Sequence, residues 1–242
     1  MTQVTTLRNQ FIPVTDPEAG LRMTEIFYSL QGEALTSGLP TVFVRLTGCP
    51  LRCVYCDTTY SFVGGERLSL DAIIADIVQY PCKRVCVTGG EPLAQPNCIA
   101  LINRLLHEGY EISLETAGAL SVSEVPIAVS KVMDIKTPSS GESDKNLWSN
   151  LQYLTLHDQI KFVIMNRSDY DWSKQILNEY NLDKLVGTVW FSPMFNVNDK
   201  GGSIVEVPSL ARELAEWILE DALPVRLQLQ LHKIIWADAK GK

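Results

Sequence analysis

Short apolar runs alternate with amphipathic segments along most of the chain. Runs typical of buried strands cover residues 25–30, 41–46, 84–88, 111–114, 131–135, 159–165 and 187–191. Apolar residues recur at helical spacing in residues 70–80, 97–107, 146–156, 170–180 and 209–220, and residues 225–231 alternate in strand fashion. A strand followed by a helix, about six times over, predicts an α/β fold with a parallel sheet and crossover helices.

Two of the predicted helices have boundary signals. Ser69 precedes the segment 70–80, and Asp71 lies in its first turn, where the helix dipole favours a carboxylate. Gly109 follows the segment 97–107 and can adopt the left-handed conformation that often ends a helix. We therefore expect one helix to begin near residue 70 and another to end near residue 107.

The composition is that of an ordinary globular protein. Of the 242 residues, 46% are apolar and 20% are charged, which suits one domain with a substantial core. The net charge of -7 argues against a general nucleic-acid or membrane-surface binder, and no apolar run approaches the length of a membrane span. We predict an N-terminal extension over residues 1–22, a single domain over residues 23–242, and no nucleic-acid or membrane partner.

Residues 1–20 contain no apolar stretch typical of a signal peptide. Six cysteines without such a signal favour reduced thiols, which are free to bind metal. A cytoplasmic location is therefore predicted.

Polar side chains recur where the predicted strands end. Arg45, Thr88, Glu115, the segment 134–136 and Ser192 all lie at such ends. Because sites of α/β proteins are built at the carboxyl ends of parallel strands, we expect these residues to meet. About six strand–helix units are too few for a closed eight-stranded barrel.

Three cysteines with the spacing Cys-x3-Cys-x2-Cys follow the strand predicted at residues 41–46: Cys49, Cys53 and Cys56. Thiolates this close on one loop can converge on one metal centre, and a closed four-iron cluster takes four cysteine ligands. No fourth cysteine lies nearby in the sequence, so one iron would keep an open position for a chelating cofactor.

The alternative for this loop is a structural zinc site completed by a histidine. Three histidines occur in the chain, all far from the loop: His107, His157 and His232. His232 could line a site or only cap the last predicted strand. The other cysteines are interpreted as core residues: Cys82, Cys86 and Cys98.

Two motifs near these strand ends could bind ligands. The segment Gly89-Gly90-Glu91-Pro92 would let the backbone approach a ligand closely, with an ordinary strand-to-helix turn as the alternative. Thr58 follows the third cysteine by two positions, and its hydroxyl can bind Mg2+. Asp57 could instead cap local amides in a simple turn.

Three further positions have the chemistry to read a polar ligand. Gln31, beside Gly32, could pair with the edge of a heterocycle or belong to a polar loop. Arg45 within an apolar strand requires an anionic partner, either a carboxylate ligand or an internal acid. Glu115 could accept two hydrogen bonds from a guanine-like edge or form a structural ion pair.

The cysteine triad is similar to the signature of the radical S-adenosylmethionine (SAM) enzymes. That resemblance implies a partial (β/α)6 barrel, a [4Fe-4S] cluster on the three cysteines, and SAM chelated to the open iron. It also implies that an electron from the cluster cleaves SAM to a 5'-deoxyadenosyl radical. Tyr55 would pack near adenine, and the motif at residues 89–92 would receive the SAM amino group, with Glu91 orienting that edge.

Further motifs resemble the 7-carboxy-7-deazaguanine synthase family of this superfamily. They lie at residues 27–33, 45–49, 56–58, 87–92, 114–116, 134–138 and 231–233. The Ser-Leu-Gln-Gly-Glu and Cys-Asp-Thr elements distinguish that family from other radical SAM enzymes. The resemblance implies conversion of 6-carboxy-5,6,7,8-tetrahydropterin to 7-carboxy-7-deazaguanine with loss of ammonia, in queuosine biosynthesis.

The family pattern also implies roles for individual residues, with Thr58 on Mg2+ and no assigned catalytic acid or base. The residues implied around the substrate are Leu30, Gln31, Gly32, Arg45, Thr88 and Glu115. The residues implied along SAM are Tyr55, Cys56, Asp57, Gly90, Asp134, Ile135, Lys136, Ser192, Pro193, Met194 and Phe195. Many members carry Ser-Pro-Lys where this chain has Asp-Ile-Lys, so Lys136 is the position of that segment that matches.

Partners are implied in the same way. They are an electron donor such as flavodoxin and a second copy in a homodimer, to which residues 225–231 could contribute a strand edge. A glycyl-radical-enzyme activating enzyme shares the triad and the Gly-Gly-Glu-Pro motif and is the alternative enzyme. A non-catalytic iron–sulfur or zinc protein is the alternative outside catalysis.

Overall fold

One twisted β-sheet organises the computed structural model, which describes residues 20–195, 209–237, 239 and 241. Within that part of the chain the sheet has nine strands, in the spatial order β3-β1-β2-β4-β5-β6-β7-β8-β9. The strands are β1 Gly20–Leu30, β2 Pro40–Leu46, β3 Glu66–Ser69, β4 Arg84–Gly89, β5 Glu111–Thr116, β6 Ser130–Asp134, β7 Gln159–Ile164, β8 Thr188–Pro193 and β9 Arg226–Leu227.

Helices connect most of these strands. The α-helices are α1 Leu70–Ile77, α2 Cys98–His107, α3 Arg167–Glu179, α4 Leu182–Leu185, α5 Ser209–Glu220 and α6 Leu231–Trp236. Short 3-10 helices cover Thr59–Ser61, Pro92–Ala94, Pro138–Ser140, Ser143–Lys145 and Trp148–Tyr153. The predicted start of α1 is confirmed, since the Ser69 hydroxyl accepts a hydrogen bond from the Ala72 amide.

The predicted parallel sheet is confirmed. Strands β2, β4, β5, β6, β7 and β8 pair in parallel, and β9 adds two residues parallel to β8. β1 runs antiparallel to β2, and β3 antiparallel to β1. The six longer parallel strands of the described residues, β2 and β4 to β8, form the predicted partial barrel, with their carboxyl ends at one rim.

Two apolar clusters hold the helices against the sheet. The first joins β1, β2, β4 and β5 to α1 and α2, with Ile73 and Leu101 fully buried. The second joins β6, β7 and β8 to α3 and α5, with Phe162 and Leu214 fully buried. Burying one such side chain contributes about 1.5–3 kcal/mol, so both clusters stabilise the scaffold around the barrel interior.

The helix predicted over residues 146–156 is wrong. Only the 3-10 helix Trp148–Tyr153 forms there. Asn146 hydrogen-bonds the amide and carbonyl of Lys136, and Asn150 donates to the carbonyls of Gly118 and Leu120. Asparagine side chains that bond to distant backbone groups compete with the regular helical pattern.

The strand predicted over residues 225–231 is also wrong for most of its length. β9 ends at Leu227, and α6 begins at Leu231. A longer strand does not form because the backbone amides of this segment donate hydrogen bonds to two different parts of the structure. The amide of Gln228 donates to Phe191, whereas the amide of Leu231 donates to Gly32.

β1 is longer than predicted, and β3 was not predicted. Residues 20–23 of β1 pair with residues 66–69 of β3, so the first residues of β1 already belong to the sheet. Leu21 is buried in the first core. Residues 1–19 lie outside the described part of the chain, so the predicted N-terminal extension stays a prediction.

Candidate active site

A cavity of about 240 Å3 opens at the carboxyl ends of the parallel strands. All of the residues implied for the cluster, Mg2+, SAM and substrate line this cavity, with the exception of Ile135. They come from the ends of β1, β2, β4, β5, β6 and β8 and from the loops that follow them. The tertiary structure therefore brings these separate sequence motifs to one place, while their individual roles stay predictions.

The cysteine loop forms one wall of the cavity. Cys49, Cys53 and Cys56 all line it as free, half-buried thiols. Burial raises the pKa of the Cys53 thiol to about 11, with Lys136 acting in the opposite direction. Because thiols bind metal as thiolates, binding must release these protons. Three free thiols that face one cavity fit a cluster whose fourth iron is left to a ligand in that cavity.

The spacing of the donors does not favour a single ion. The described residues contain no group of three or more His, Cys, Asp or Glu side chains arranged to hold one metal ion. In a four-iron cluster each cysteine binds a different iron, so its thiols stand further apart than the ligands of one zinc.

Gly90 joins the end of β4 to the cysteine loop. A Cβ atom at Gly90 would lie 2.4 Å from the carbonyl oxygen of Gly48 and 2.7 Å from the Cβ of Cys49. The next residue reinforces this contact, since the amide of Glu91 donates to the Gly48 carbonyl at 2.8 Å. Only glycine permits this approach, because any side chain would push the two segments apart.

The Glu91 carboxylate faces the protein interior and is not part of the cavity wall. It accepts hydrogen bonds from the amides of Leu93 and Ala117 and from the hydroxyl of Thr116. Burial raises its pKa, although these hydrogen bonds act in the opposite direction. Glu91 therefore fixes the turn that presents Gly90, and any effect on SAM passes through that backbone.

Asp57 and Thr58 follow the third cysteine directly. The Thr58 hydroxyl lies 3.7 Å from the Cys56 sulfur, and both residues line the cavity. Asp57 forms an ion pair with Lys233 of α6 at 3.5 Å. The last described helix is thus attached to the loop that carries the cysteines.

Three of the predicted substrate residues form one hydrogen-bonded group. Glu115 accepts from the Gln31 amide at 3.2 Å and from the Thr88 hydroxyl at 2.8 Å. The charge of Glu115 also acts on Arg45 and Lys161, so the alternative of a structural ion pair stays a prediction. Each carboxylate oxygen can accept more than one hydrogen bond, so Glu115 keeps acceptor capacity for a ligand.

Arg45 has an internal acid as its partner. Its Nε donates to Glu25 at 2.8 Å, and the hydroxyl of Tyr60 donates to the same carboxylate oxygen. Burial lowers the pKa of Arg45, but the hydrogen bond and charge of Glu25 help to raise it above its usual value. Arg45 also lines the cavity, so the rest of its guanidinium group can meet a ligand carboxylate.

The side chains of residues 134–136 point in two directions, toward the cavity and toward the core. Lys136 and Asp134 line the cavity and form an ion pair at 3.0 Å. Ile135 points into the second apolar core, and its amide donates to the carbonyl of Lys161. Any contact of Ile135 with SAM would have to come from its backbone. Ser192 donates to the Gln228 carbonyl and lines the cavity.

Several cavity residues were missed by the sequence predictions. They include the stacked pair Phe27 and Phe43, the charged residues Glu33 and Lys161, and Gln230 at the start of α6. Glu33 lies within the family motif at residues 27–33, and His232, which the sequence left as a possible site residue, also lines the cavity. Lys161 lies within an ordinary strand pattern and had no sequence signal.

Glu33 and Lys161 form an ion pair at 2.6 Å, with side chains that are 13% and 15% exposed. Burial alone would raise the pKa of Glu33, but the charges of Lys161 and His232 and a hydrogen bond from Gln230 lower it to about 2. Burial disfavours the Lys161 ammonium, but the charges of Glu33 and Asp134 raise its pKa well above the usual value. Both groups are therefore ionised at neutral pH.

Comparisons with known proteins identify the superfamily and the fold. Residues 43–129, which contain the cysteine loop and the Gly-Gly-Glu-Pro turn, match the Radical SAM superfamily model. A solved structure described as QueE from Escherichia coli superimposes with a TM-score of 0.70 at 22% identity, covering 88% of this chain and 95% of that one. The structure of Streptococcus suis SuiB bound to S-adenosylmethionine superimposes with a TM-score of 0.53 at 13% identity. The match covers 76% of this chain and 44% of SuiB. At these identities the two structures establish the fold.

Curated sequences establish more than the fold. A 7-carboxy-7-deazaguanine synthase from Koribacter versatilis is 42% identical over 91% of this chain and 100% of its own length. The synthase from Chlorobaculum tepidum is 39% identical over 93% of this chain and 98% of its own. These relatives do not support the activating-enzyme or non-catalytic alternatives. With a radical SAM fold, three cysteines on its cavity wall and full-length similarity to these enzymes, the chain belongs to the 7-carboxy-7-deazaguanine synthase family of the radical SAM superfamily.

Proposed function

We propose that this protein converts 6-carboxy-5,6,7,8-tetrahydropterin to 7-carboxy-7-deazaguanine and ammonia. The observation that supports this substrate best is the group formed by Gln31, Thr88 and Glu115 in the same cavity as the cysteine loop. A carboxylate acceptor beside an amide complements the donors and acceptors of a guanine-like edge. The stacked Phe27 and Phe43 add an apolar surface for a flat bicyclic ring.

The substrate carboxylate requires cationic partners. Arg45 lines the cavity near Glu115, and the free part of its guanidinium group can donate hydrogen bonds to a carboxylate. We propose that Mg2+ binds at the Thr58 hydroxyl and supplies a second positive charge. Mg2+ takes few protein ligands and keeps positions for water or substrate oxygens, which suits a single hydroxyl on the cavity wall.

The radical SAM family implies a [4Fe-4S] cluster and SAM. When bound, they would supply the 5'-deoxyadenosyl radical that takes a hydrogen atom from C6 of the pterin. The chain would hold the cluster with Cys49, Cys53 and Cys56 and keep the turn at Gly90 against that loop. It would hold the substrate with the group formed by Gln31, Thr88 and Glu115, so the protein's contribution is to place C6 against the reacting carbon.

The atoms of the product and ammonia together equal those of the substrate. The reaction is therefore redox-neutral, and the rearranged substrate radical can take its hydrogen atom back. We propose that SAM is regenerated in each cycle. The starting electron would come from a small donor such as flavodoxin.

Location and assembly belong to the same proposal. No helix in the described ranges is long and apolar enough to cross a membrane. We propose a cytoplasmic enzyme that works as a homodimer. A monomeric mass by light scattering at micromolar concentration would contradict the dimer.

Anaerobic turnover tests the reaction directly. Protein reconstituted with iron and sulfide is mixed with SAM, Mg2+, dithionite and pterin deuterated at C6. We expect 7-carboxy-7-deazaguanine by mass spectrometry, with deuterium in the recovered SAM. If 5'-deoxyadenosine forms one for one with product, SAM is consumed and the regeneration is wrong. If no pterin is converted, the substrate is wrong.

A further inference from the structure

Lys161 contacts two walls of the cavity that belong to separate motifs in the sequence. The first is the substrate loop, defined here as residues 31–33, and the second is the SAM segment, defined as residues 134–136. The ammonium group of Lys161 lies 2.6 Å from Glu33 of the substrate loop and 3.6 Å from Asp134 of the SAM segment. Its side chain is 15% exposed and lines the cavity.

Glu33 and Asp134 each make a further contact with a residue that is predicted to bind a ligand. The amide of Glu33 donates to the Gln31 side chain, and the Gln31 amide group donates to Glu115. On the other wall, Asp134 Oδ2 pairs with Lys136, while Asp134 Oδ1 is buried without a hydrogen-bond partner among the described residues. A buried carboxylate oxygen without a donor is costly, so a donor from a bound ligand would stabilise it.

We propose that Lys161 is a positioning residue that fixes the substrate loop relative to the SAM segment. It thereby sets the distance between the hydrogen to be abstracted and the carbon that receives it. The inference rests on the proposed function and goes beyond it, because it concerns the coupling of radical formation to substrate conversion. Small displacements matter here, since a shift of about 1 Å can lower the rate roughly 100-fold.

Stability alone gives a weak reason for this arrangement. Removing two charges from water costs about as much as their attraction returns, so a buried ion pair is often no more stable than apolar residues of similar size. The charge of Lys161 is shared between acids on two different walls, which apolar residues could not hold in a defined orientation.

The same two strands offer a matched control at their opposite ends. Lys131, at the start of β6, forms an ion pair at 3.0 Å with Asp158, just before β7. The two side chains are 2% and 0% exposed, and neither lines the cavity. Lys131→Met therefore removes a buried ammonium group from the same pair of strands without touching either cavity wall.

The experiment compares Lys161→Met, Lys161→Arg and Lys131→Met with the wild-type holoenzyme. Each is reconstituted, checked for iron content and circular dichroism, and incubated anaerobically with SAM, Mg2+, dithionite and the pterin. The readout is the ratio of 5'-deoxyadenosine to 7-carboxy-7-deazaguanine. If the unpaired Glu33 prevents Lys161→Met from folding, the double variant Lys161→Met/Glu33→Gln removes both charges and takes its place.

We expect Lys161→Met to lose about 100-fold in product formation while still cleaving SAM, so that the ratio rises at least tenfold. The ratio in Lys161→Arg, which keeps the charge, should lie nearer to that of the wild type. Lys131→Met should keep the wild-type ratio even if its overall activity is lower. An unchanged ratio in Lys161→Met would overturn the positioning role, as would an equal rise in Lys131→Met. A wild type that makes no product refutes the proposed function itself, whereas wild-type turnover with an unchanged variant ratio refutes only Lys161.

Discussion

The Thr88 hydroxyl donates to the Glu115 carboxylate at 2.8 Å, from neighbouring parallel strands whose carboxyl ends meet at the cavity. The contact orients Glu115 toward the interior of the barrel and leaves one face of the carboxylate for a ligand. The Gln31 amide meets the other oxygen at 3.2 Å. Much of the proposed substrate recognition depends on this one carboxylate.

Glu115→Gln should weaken pterin binding by about 2 kcal/mol, or roughly 30-fold, with little effect on SAM binding. The change replaces an acceptor with a donor opposite the guanine-like edge. Anaerobic calorimetry with each ligand measures the two affinities. Thr88→Val, which removes one orienting hydrogen bond and keeps the charge, should have a smaller effect in the same direction. Equal losses for pterin and SAM would contradict the assignment.

Cys53→Ala should bind almost no iron, because a cluster on three cysteines depends on each of them. Iron and sulfide analysis with the absorbance spectrum after reconstitution gives the answer. The control is Cys86→Ala, since Cys86 is fully buried in β4 and lies outside the cavity. Loss of the cluster in Cys86→Ala with its retention in Cys53→Ala would reject the ligand set.

Gly90→Ala should impair cluster assembly although no ligand is changed. The added methyl group would lie 2.4 Å from the Gly48 carbonyl oxygen, and backbone cannot move aside as a flexible side chain can. The iron content of the reconstituted variant measures the effect. Gly64→Ala is the control, because a Cβ there meets nothing within 4 Å, although its φ of +83° makes alanine unfavourable. Equal losses in both would point to general instability.

Thr58→Val keeps the shape of the side chain and removes the oxygen proposed to bind Mg2+. Turnover should fall at least tenfold, while iron content and SAM affinity stay at wild-type levels. A Mg2+ titration of activity distinguishes the role, since the wild type should respond to Mg2+ and the variant should not. An unchanged titration curve in the variant would reject Thr58 as a ligand.

The ion pair of Glu33 predicts a dependence of stability on pH. Its pKa falls from a usual 4.5 to about 2 in the folded protein. The contribution of this ion pair to the free energy of unfolding is therefore complete above pH 4.5 and is lost as the pH falls toward 2. It amounts to about 3 kcal/mol. Urea unfolding of the cluster-free protein between pH 5.5 and 3.5 measures this slope. Glu33→Gln should reduce it, and an identical slope in the variant would show that other carboxylates cause it.

Features that depend on neighbouring residues could be predicted from the order of the amino acids. The spacing of Cys49, Cys53 and Cys56 places three thiols on one loop, and Ser69 supplies the cap of α1 from three residues away. The alternation of strands and helices indicated the parallel sheet, and strand ends meet at one rim in any such sheet. Most of the predicted site residues therefore line the cavity, including Thr88 and Glu115.

The pairing of side chains that are distant in sequence became evident from the folded structure. Glu33 and Lys161 are 128 residues apart in sequence, and nothing near either residue indicates the other. The apolar spacing after Asn146 predicts a helix over residues 146–156. The Asn146 side chain instead hydrogen-bonds the backbone of Lys136, and that helix does not form. Periodicity and spacing describe the backbone locally. Burial and charge pairing depend on which distant elements pack together, and in this protein that packing selects the residues of the cavity.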